Sequence, residues 1–168
     1  MLKKNTLKIC IIGMPGSGKS TIGKALSKKL NYDFYDTDNT IEDISRLKIS
    51  EIFASNGESY FRDLETKVLN QLIKINKVII STGGGIILKN KKILNKSFNI
   101  FLQCDLDVLI ERVSRNNNRP LLLNDLKKNM KNLFNQRKEL YNKYSDLKIN
   151  TSSKVYKSVN EILDRLPK

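Results

Sequence analysis

Histidine and tryptophan are missing from this chain of 168 residues, cysteine occurs only twice, and acidic residues are scarce, with 17 Asp+Glu against 31 Lys+Arg. Each shortage excludes something. Without histidine, a proton acceptor in catalysis has to be a carboxylate or a weaker group. With no histidine and no CxxC spacing, there is no ligand set for a zinc cluster. Cys10 and Cys104 lie in separate apolar, strand-like runs, which marks them as buried free thiols rather than a disulfide or redox pair. Long hydrophobic runs are also absent: segments such as 7–12 and 78–80 fall far short of the roughly 20 residues that cross a bilayer. The first seven residues are too brief, and too soon followed by structure, for a secretory leader, so a cytoplasmic protein is expected.

What is present fits one compact domain spanning residues 1–168, since 39% hydrophobic residues can supply a real core for a chain of this size. The formal charge of +14 favours anionic partners: nucleic acid, an acidic surface, or small molecules bearing phosphate. The chain is also rich in Lys, Asn and Ile, so part of that charge is compositional. A nucleic-acid binder would gather its cations on one face with aromatics between them. Here the lysines are scattered over most of the expected helices.

Apolar periodicity predicts strands at 7–12, 33–35, 78–81, 98–103 and 147–150. Between them it predicts helices at 20–30, 58–75, 106–115, 125–144 and 155–166. Ser50 suggests the cap of a short helix, with Gly57 as a break, and Asp105 is placed to cap the helix at 106. The run 116–120 is loop, because Pro120 and its asparagines cannot continue a helix. Strands alternating with helices at this spacing imply a three-layer α/β/α fold around a parallel sheet. Ligands in such sheets bind beyond the carboxyl ends of the strands, where every glycine cluster and acidic pair of this sequence falls.

Gly13-Met14-Pro15-Gly16-Ser17-Gly18-Lys19-Ser20 matches the Walker A pattern, and it lies between an expected strand and an expected helix. The glycines let backbone N–H groups of Gly16, Ser17, Gly18, Lys19, Ser20 and Thr21 turn toward phosphate oxygens, and the helix N-terminus adds partial positive charge. Lys19 is a point charge for the outer phosphates of ATP, and Ser20 offers a hydroxyl to Mg²⁺. An accidental glycine turn would lack those flanking elements. The third strand ends in Ser81-Thr82-Gly83 without a carboxylate, leaving Asp36 and Asp38 as the nearest acids. That departure points away from motors and GTPases and toward kinases of small molecules.

Several further motifs follow in order: Asp36-Thr37-Asp38, Phe61-Arg62-Asp63-Leu64-Glu65, Thr82-Gly83-Gly84-Gly85, Arg119-Pro120-Leu121-Leu122 and Arg137-Lys138-Glu139-Leu140-Tyr141. In this combination the chain resembles the shikimate kinases from its first strand to Thr151-Ser152-Ser153. The resemblance implies a five-stranded sheet of order 2-3-1-4-5, as in adenylate-kinase-like proteins, a substrate-binding segment at about 36–65 and a lid at about 116–125. It implies phosphoryl transfer from ATP to the 3-hydroxyl of shikimate, on the route to chorismate and the aromatic amino acids, by a monomer needing Mg²⁺. It also implies roles: Asp38 at the ring hydroxyls and the attacking proton, Asp36 with Ser20 at the metal, and Arg62, Arg137 and the backbone of Gly83, Gly84 and Gly85 around shikimate. Arg119 would be the lid arginine at the phosphates, with Arg112 and Ser153 near the adenine.

Two arginines suit a carboxylate because the guanidinium is planar, always charged and able to bond bidentately. Glu65, one turn beyond Arg62, would hold that fork in place, although an exposed helix pair with the same spacing would contribute only ~0.3 kcal/mol. Asp38 is also placed to cap a helix starting near Asn39. Two other readings stay open at this point: a kinase of gluconate or of a nucleoside monophosphate, and a nucleotide-binding regulator or nucleic-acid-associated NTPase.

Overall fold

The computed structural model describes residues 7–115 and 126–167. The lid expected at 116–125, with Arg119, lies outside the described residues. Five parallel strands form one sheet in the order β2-β3-β1-β4-β5: β1 (Lys8–Ile12), β2 (Asp33–Asp36), β3 (Val78–Ser81), β4 (Phe98–Gln103) and β5 (Leu147–Asn150). The expected order is therefore the observed one. Around the sheet run α1 (Lys19–Leu30), α2 (Thr37–Ser45), α3 (Ile49–Leu72), α4 (Lys91–Leu94), α5 (Leu106–Ser114), α6 (Leu126–Lys143) and α7 (Val155–Arg165), and a 3₁₀ turn spans Ile86–Leu88.

The two-residue period of the strands divides the core into two halves. Ile9, Ile11, Ile79, Ile100, Leu102 and Ile149 face α1 and α7. Cys10, Ile12, Val78, Ile80 and Phe101 face the other way, packing with residues of α3, α5 and α6. Both faces of the central strands are covered, so β1 and β3 read as continuous apolar runs rather than alternating ones. Cys10 and Cys104 are both buried and free, as expected, and burial pushes the Cys10 thiol up to about 12. The burial of Asn99, a polar residue on β4, is offset by bonds from its amide nitrogen to the carbonyls of Leu94 (2.9 Å) and Tyr144 (3.0 Å).

Three caps differ from expectation. The helix expected to be capped by Ser50 begins at Ile49 with Lys48 at its cap position, and the Glu51 carboxylate closes its first turn by accepting from the Lys48 N–H at 2.6 Å. At Gly57 the backbone leaves helical geometry (φ 79°, ψ 174°), so two helical segments meet at a kink there, as the sequence predicts, and α3 runs on through residue 72. Asp105 occupies the cap position of α5, but its side chain makes no cap bond and instead accepts from the Ser152 hydroxyl at 3.4 Å. The cap of α2 is Asp36, not Asp38: its Oδ1 accepts from the N–H groups of Asp38 (3.0 Å) and Asn39 (3.4 Å). α2 begins at Thr37, directly after the strand and two residues before the expected start near Asn39, which brings the earlier acid to the cap and puts Asp38 in the first turn.

Candidate active site

At the carboxyl end of β1 the loop 13–18 turns back into α1, and three of its glycines have positive φ. Gly16 shows why (φ 81°): a Cβ there would stand 2.9 Å from the Val113 side chain and 3.1 Å from the Leu109 carbonyl of α5. Lys19 is buried at the start of α1 and donates to the carbonyls of Gly13 (3.0 Å) and Met14 (2.8 Å), so its ammonium lies within the loop. Arg112 braces the far side, donating to the Thr151 carbonyl at 2.8 Å and toward the Gly16 carbonyl at 3.4 Å. Thr151 returns its hydroxyl to the Ser17 carbonyl at 3.0 Å. Arg112 and Ser153 thus meet the loop where β4 and β5 end.

A corner of oxygen donors lies beside the loop. The Ser20 hydroxyl donates to Asp36 Oδ2 at 2.5 Å and stands 3.2 Å from the Ser81 hydroxyl. Among the described residues no cluster of three or more His, Cys, Asp or Glu could hold a metal by itself. A hydroxyl and one carboxylate are the hard oxygen donors that suit Mg²⁺, an ion that keeps most of its water and takes phosphate oxygens. The residues present fit that ion and do not fit a protein cage for a softer one.

Across the cleft the chemistry changes from backbone to side chains. Arg62 Nη1 pairs with Glu65 Oε2 at 2.7 Å, and Nη2 pairs with Glu58 Oε1 at 2.8 Å. The Arg62 and Glu65 side chains are only 9% and 1% exposed, which rules out the solvated surface pair. Burial pushes the Glu65 carboxyl up to about 7 despite the opposing pull of Arg62, and the nearby Asp38 adds to the rise. The glycine turn 83–85 is packed against these groups. A Cβ at Gly83 would lie 2.6 Å from Glu65 Oε1 and 2.8 Å from Asp38 Oδ1, and one at Gly85 would collide with the Arg62 guanidinium. At Gly84 it would meet Pro15 of the loop at 3.1 Å and Arg137 Nη1 at 3.4 Å. Arg137, on α6, is buried with its Nε atom unpartnered.

The structure therefore brings together Lys19, Ser20, Asp36, Asp38, Arg62, Gly83–Gly85, Arg112, Arg137 and Ser153, with Gly16, Ser17, Gly18 and Thr21, around one cleft of about 1520 Å³. That exceeds the roughly 300–1,000 Å³ typical of a pocket for one small ligand, leaving room for two. Arg119 lies outside the described residues. Sequence reasoning missed Glu58, the second carboxylate on Arg62, and gave Tyr141 no task although it stands one turn beyond Arg137. The four-residue spacings from Glu58 to Arg62 and from Arg137 to Tyr141 were the available signals.

Comparison with known proteins agrees with this geometry. The family model described as shikimate kinase matches residues 15–167. A curated shikimate kinase of Rippkaea orientalis is 42% identical over 166 residues, covering 96% of this chain and 88% of that protein. The solved shikimate kinase of Acinetobacter baumannii, in complex with shikimate, superposes with a TM-score of 0.92 at 29% identity, over 98% of this chain and 97% of that one. The shikimate kinase structure from Aquifex aeolicus gives 0.82 at 39% identity, over 94% of each chain. A loop for phosphate, an oxygen corner beside it and a buried arginine pair opposite are thus found in a chain that belongs to the shikimate kinase family.

Proposed function

We propose that the chain transfers the γ-phosphoryl group of ATP to the 3-hydroxyl of shikimate, giving shikimate 3-phosphate and ADP on the route to chorismate. The observation that carries this reading is the buried pair Arg62 and Arg137, both packed against the glycine turn and lining one cleft together with the phosphate loop. Shikimate brings a carboxylate and three hydroxyls on a small ring. Two arginines grip the former, and Asp38, at the near edge of the turn, engages the latter.

Phosphoryl transfer asks a protein mainly for alignment and for charge stabilisation. In this reading the loop amides and Lys19 hold the outer phosphates, and Arg112 and Ser153 border the adenine. Asp38 orients the attacking hydroxyl and accepts its proton; with no histidine in the chain it is the best-placed acceptor. Arg119, proposed from its sequence motif, closes over the phosphates and excludes water that would compete as acceptor. Ser20 and Asp36 would hold Mg²⁺, which when bound neutralises charge on the phosphate oxygens. We place the enzyme in the cytoplasm as a single-domain monomer. In support, no helix among the described residues is long and apolar enough to cross a membrane.

The test is ADP production by the purified full chain with ATP and Mg²⁺, with and without shikimate, with gluconate and a nucleoside monophosphate as alternative acceptors. Shikimate-dependent ADP formation is expected. Equal rates with and without shikimate, or a preference for either alternative, would reject the assignment.

A further inference from the structure

Tyr141 is the largest fully buried side chain among the described residues, yet packing alone does not explain its hydroxyl. The ring stacks on Phe101 of β4, with centroids 5.1 Å apart at 27°, and phenylalanine would fill that place equally well. The hydroxyl donates a buried hydrogen bond to the carbonyl of Gly84, the middle residue of the glycine turn. Pro15 of the phosphate loop and the Arg137 guanidinium both crowd the position a Cβ on Gly84 would take, at 3.1 Å and 3.4 Å. Arg137 sits one helical turn before Tyr141 and also acts electrostatically on the phenol. Burial raises the phenol to about 12, against the pull of Arg137, so the hydroxyl stays a donor throughout the neutral range.

The residues on either side of Gly84 abut Asp38, Glu65 and Arg62, so the height of this turn decides where two of the proposed shikimate contacts stand, and where the carboxylate that holds one of them stands. We propose that the Tyr141 hydroxyl is a positioning group: by holding the Gly84 carbonyl it fixes the glycine turn and Arg137 against the phosphate loop, and thereby sets the affinity for the acidic substrate. This rests on the function proposed above. Tyr141 touches neither substrate in this account; it acts through Gly84 and Arg137. Without the hydroxyl, the Gly84 carbonyl loses a buried donor and the turn is free to shift by tenths of an ångström, which a bidentate carboxylate grip does not tolerate.

The experiment is Tyr141→Phe in the full chain, with KM for shikimate and for ATP measured separately alongside kcat and the melting temperature. We expect KM for shikimate to rise about tenfold, the scale of one buried hydrogen bond, while kcat and KM for ATP stay within about twofold. Phe101→Leu is the companion variant, since it loosens the ring and keeps the hydroxyl: melting temperature falls and KM for shikimate stays within about twofold. A Tyr141→Phe enzyme with unchanged KM for shikimate overturns the inference, and so does an equal rise in both Michaelis constants. A rise in Phe101→Leu matching that of Tyr141→Phe assigns the effect to packing and overturns it too. Wild-type protein without shikimate-dependent ADP formation would instead bring down the functional reading itself.

Discussion

In the function proposed above, the two walls of the cleft hold negative charge by opposite means. The phosphate wall is a contiguous run, residues 13–20, that works mostly through backbone N–H groups and one lysine. The arginine wall is assembled from three distant segments, 58–65, 83–85 and 137–141, and works through side chains buried together with their counter-charges. A strand and a helix suffice to shape the first. The second exists only when α3, the glycine turn and α6 have packed, and desolvation of its charges then has to be offset by pairing. Damage to the phosphate wall should therefore appear in turnover, and damage to the arginine wall in affinity for the acid and in pH dependence.

The largest effect is expected at the phosphate wall. Lys19→Ala should reduce kcat by about a thousandfold, because the charge lost is one that stabilises the transferring group. The melting temperature should change by only a few degrees, since Lys19 bonds to two carbonyls of its own loop. A loss below tenfold would place the lysine in a structural role and erase the contrast between the walls. On the other side, Arg137→Ala should raise KM for shikimate on the order of a hundredfold, as removal of a bidentate partner does, with KM for ATP within about twofold. Equal loss for both ligands would show that the walls are not separable.

How much of each wall could be read beforehand follows from the same contrast. The phosphate loop was legible because its chemistry is local: eight consecutive residues carry it, and the flanking strand and helix carry their own periodicity. The choice between Asp36 and Asp38 as helix cap was not legible, because it turns on where α2 begins, and a two-residue shift moves the cap from one acid to the other. Arg62 and Glu65 were visible as a spaced pair, but spacing is the same on a wet face and a dry one, and only the packing of the glycine turn shows them buried. Tyr141 stood within a quoted motif with no task, because its partner is a carbonyl 57 positions earlier. Short α4 and the turn at 86–88 carry too little periodicity to be seen. Strand order came from the resemblance, since apolar runs do not specify which strands are neighbours.

A third variant probes how tightly the arginine wall is packed. Gly85→Ala would drive a methyl group into the Arg62 guanidinium, whose two edges are held by Glu58 and Glu65 and cannot simply swing aside. KM for shikimate should rise about tenfold, the scale of one misplaced charge-assisted bond, with little change in KM for ATP. An unchanged KM, measured in the same assay as Arg137→Ala, would mean that Arg62 can relocate without cost.

The smallest effect is in stability, and its sign decides which force governs the buried pair. Glu65 carries a carboxyl raised from 4.5 to about 7, with burial outweighing Arg62. Below pH 4.5 it is protonated in the folded and the unfolded chain alike, and its contribution to stability is fully present. As pH climbs toward 7 the unfolded chain has released this proton while the fold still holds it, so stability falls, and above 7 the loss is complete. Glu65→Gln mimics the neutral acid and removes this dependence. Unfolding by urea at pH 5.5 and pH 8 should therefore show the wild type losing on the order of 1 to 2 kcal/mol relative to Glu65→Gln over that interval. Parallel behaviour of the two proteins would mean that Arg62 keeps Glu65 ionised throughout. Attraction across the 2.7 Å pair would then outweigh desolvation, and the arginine wall would be as indifferent to pH as the phosphate wall opposite.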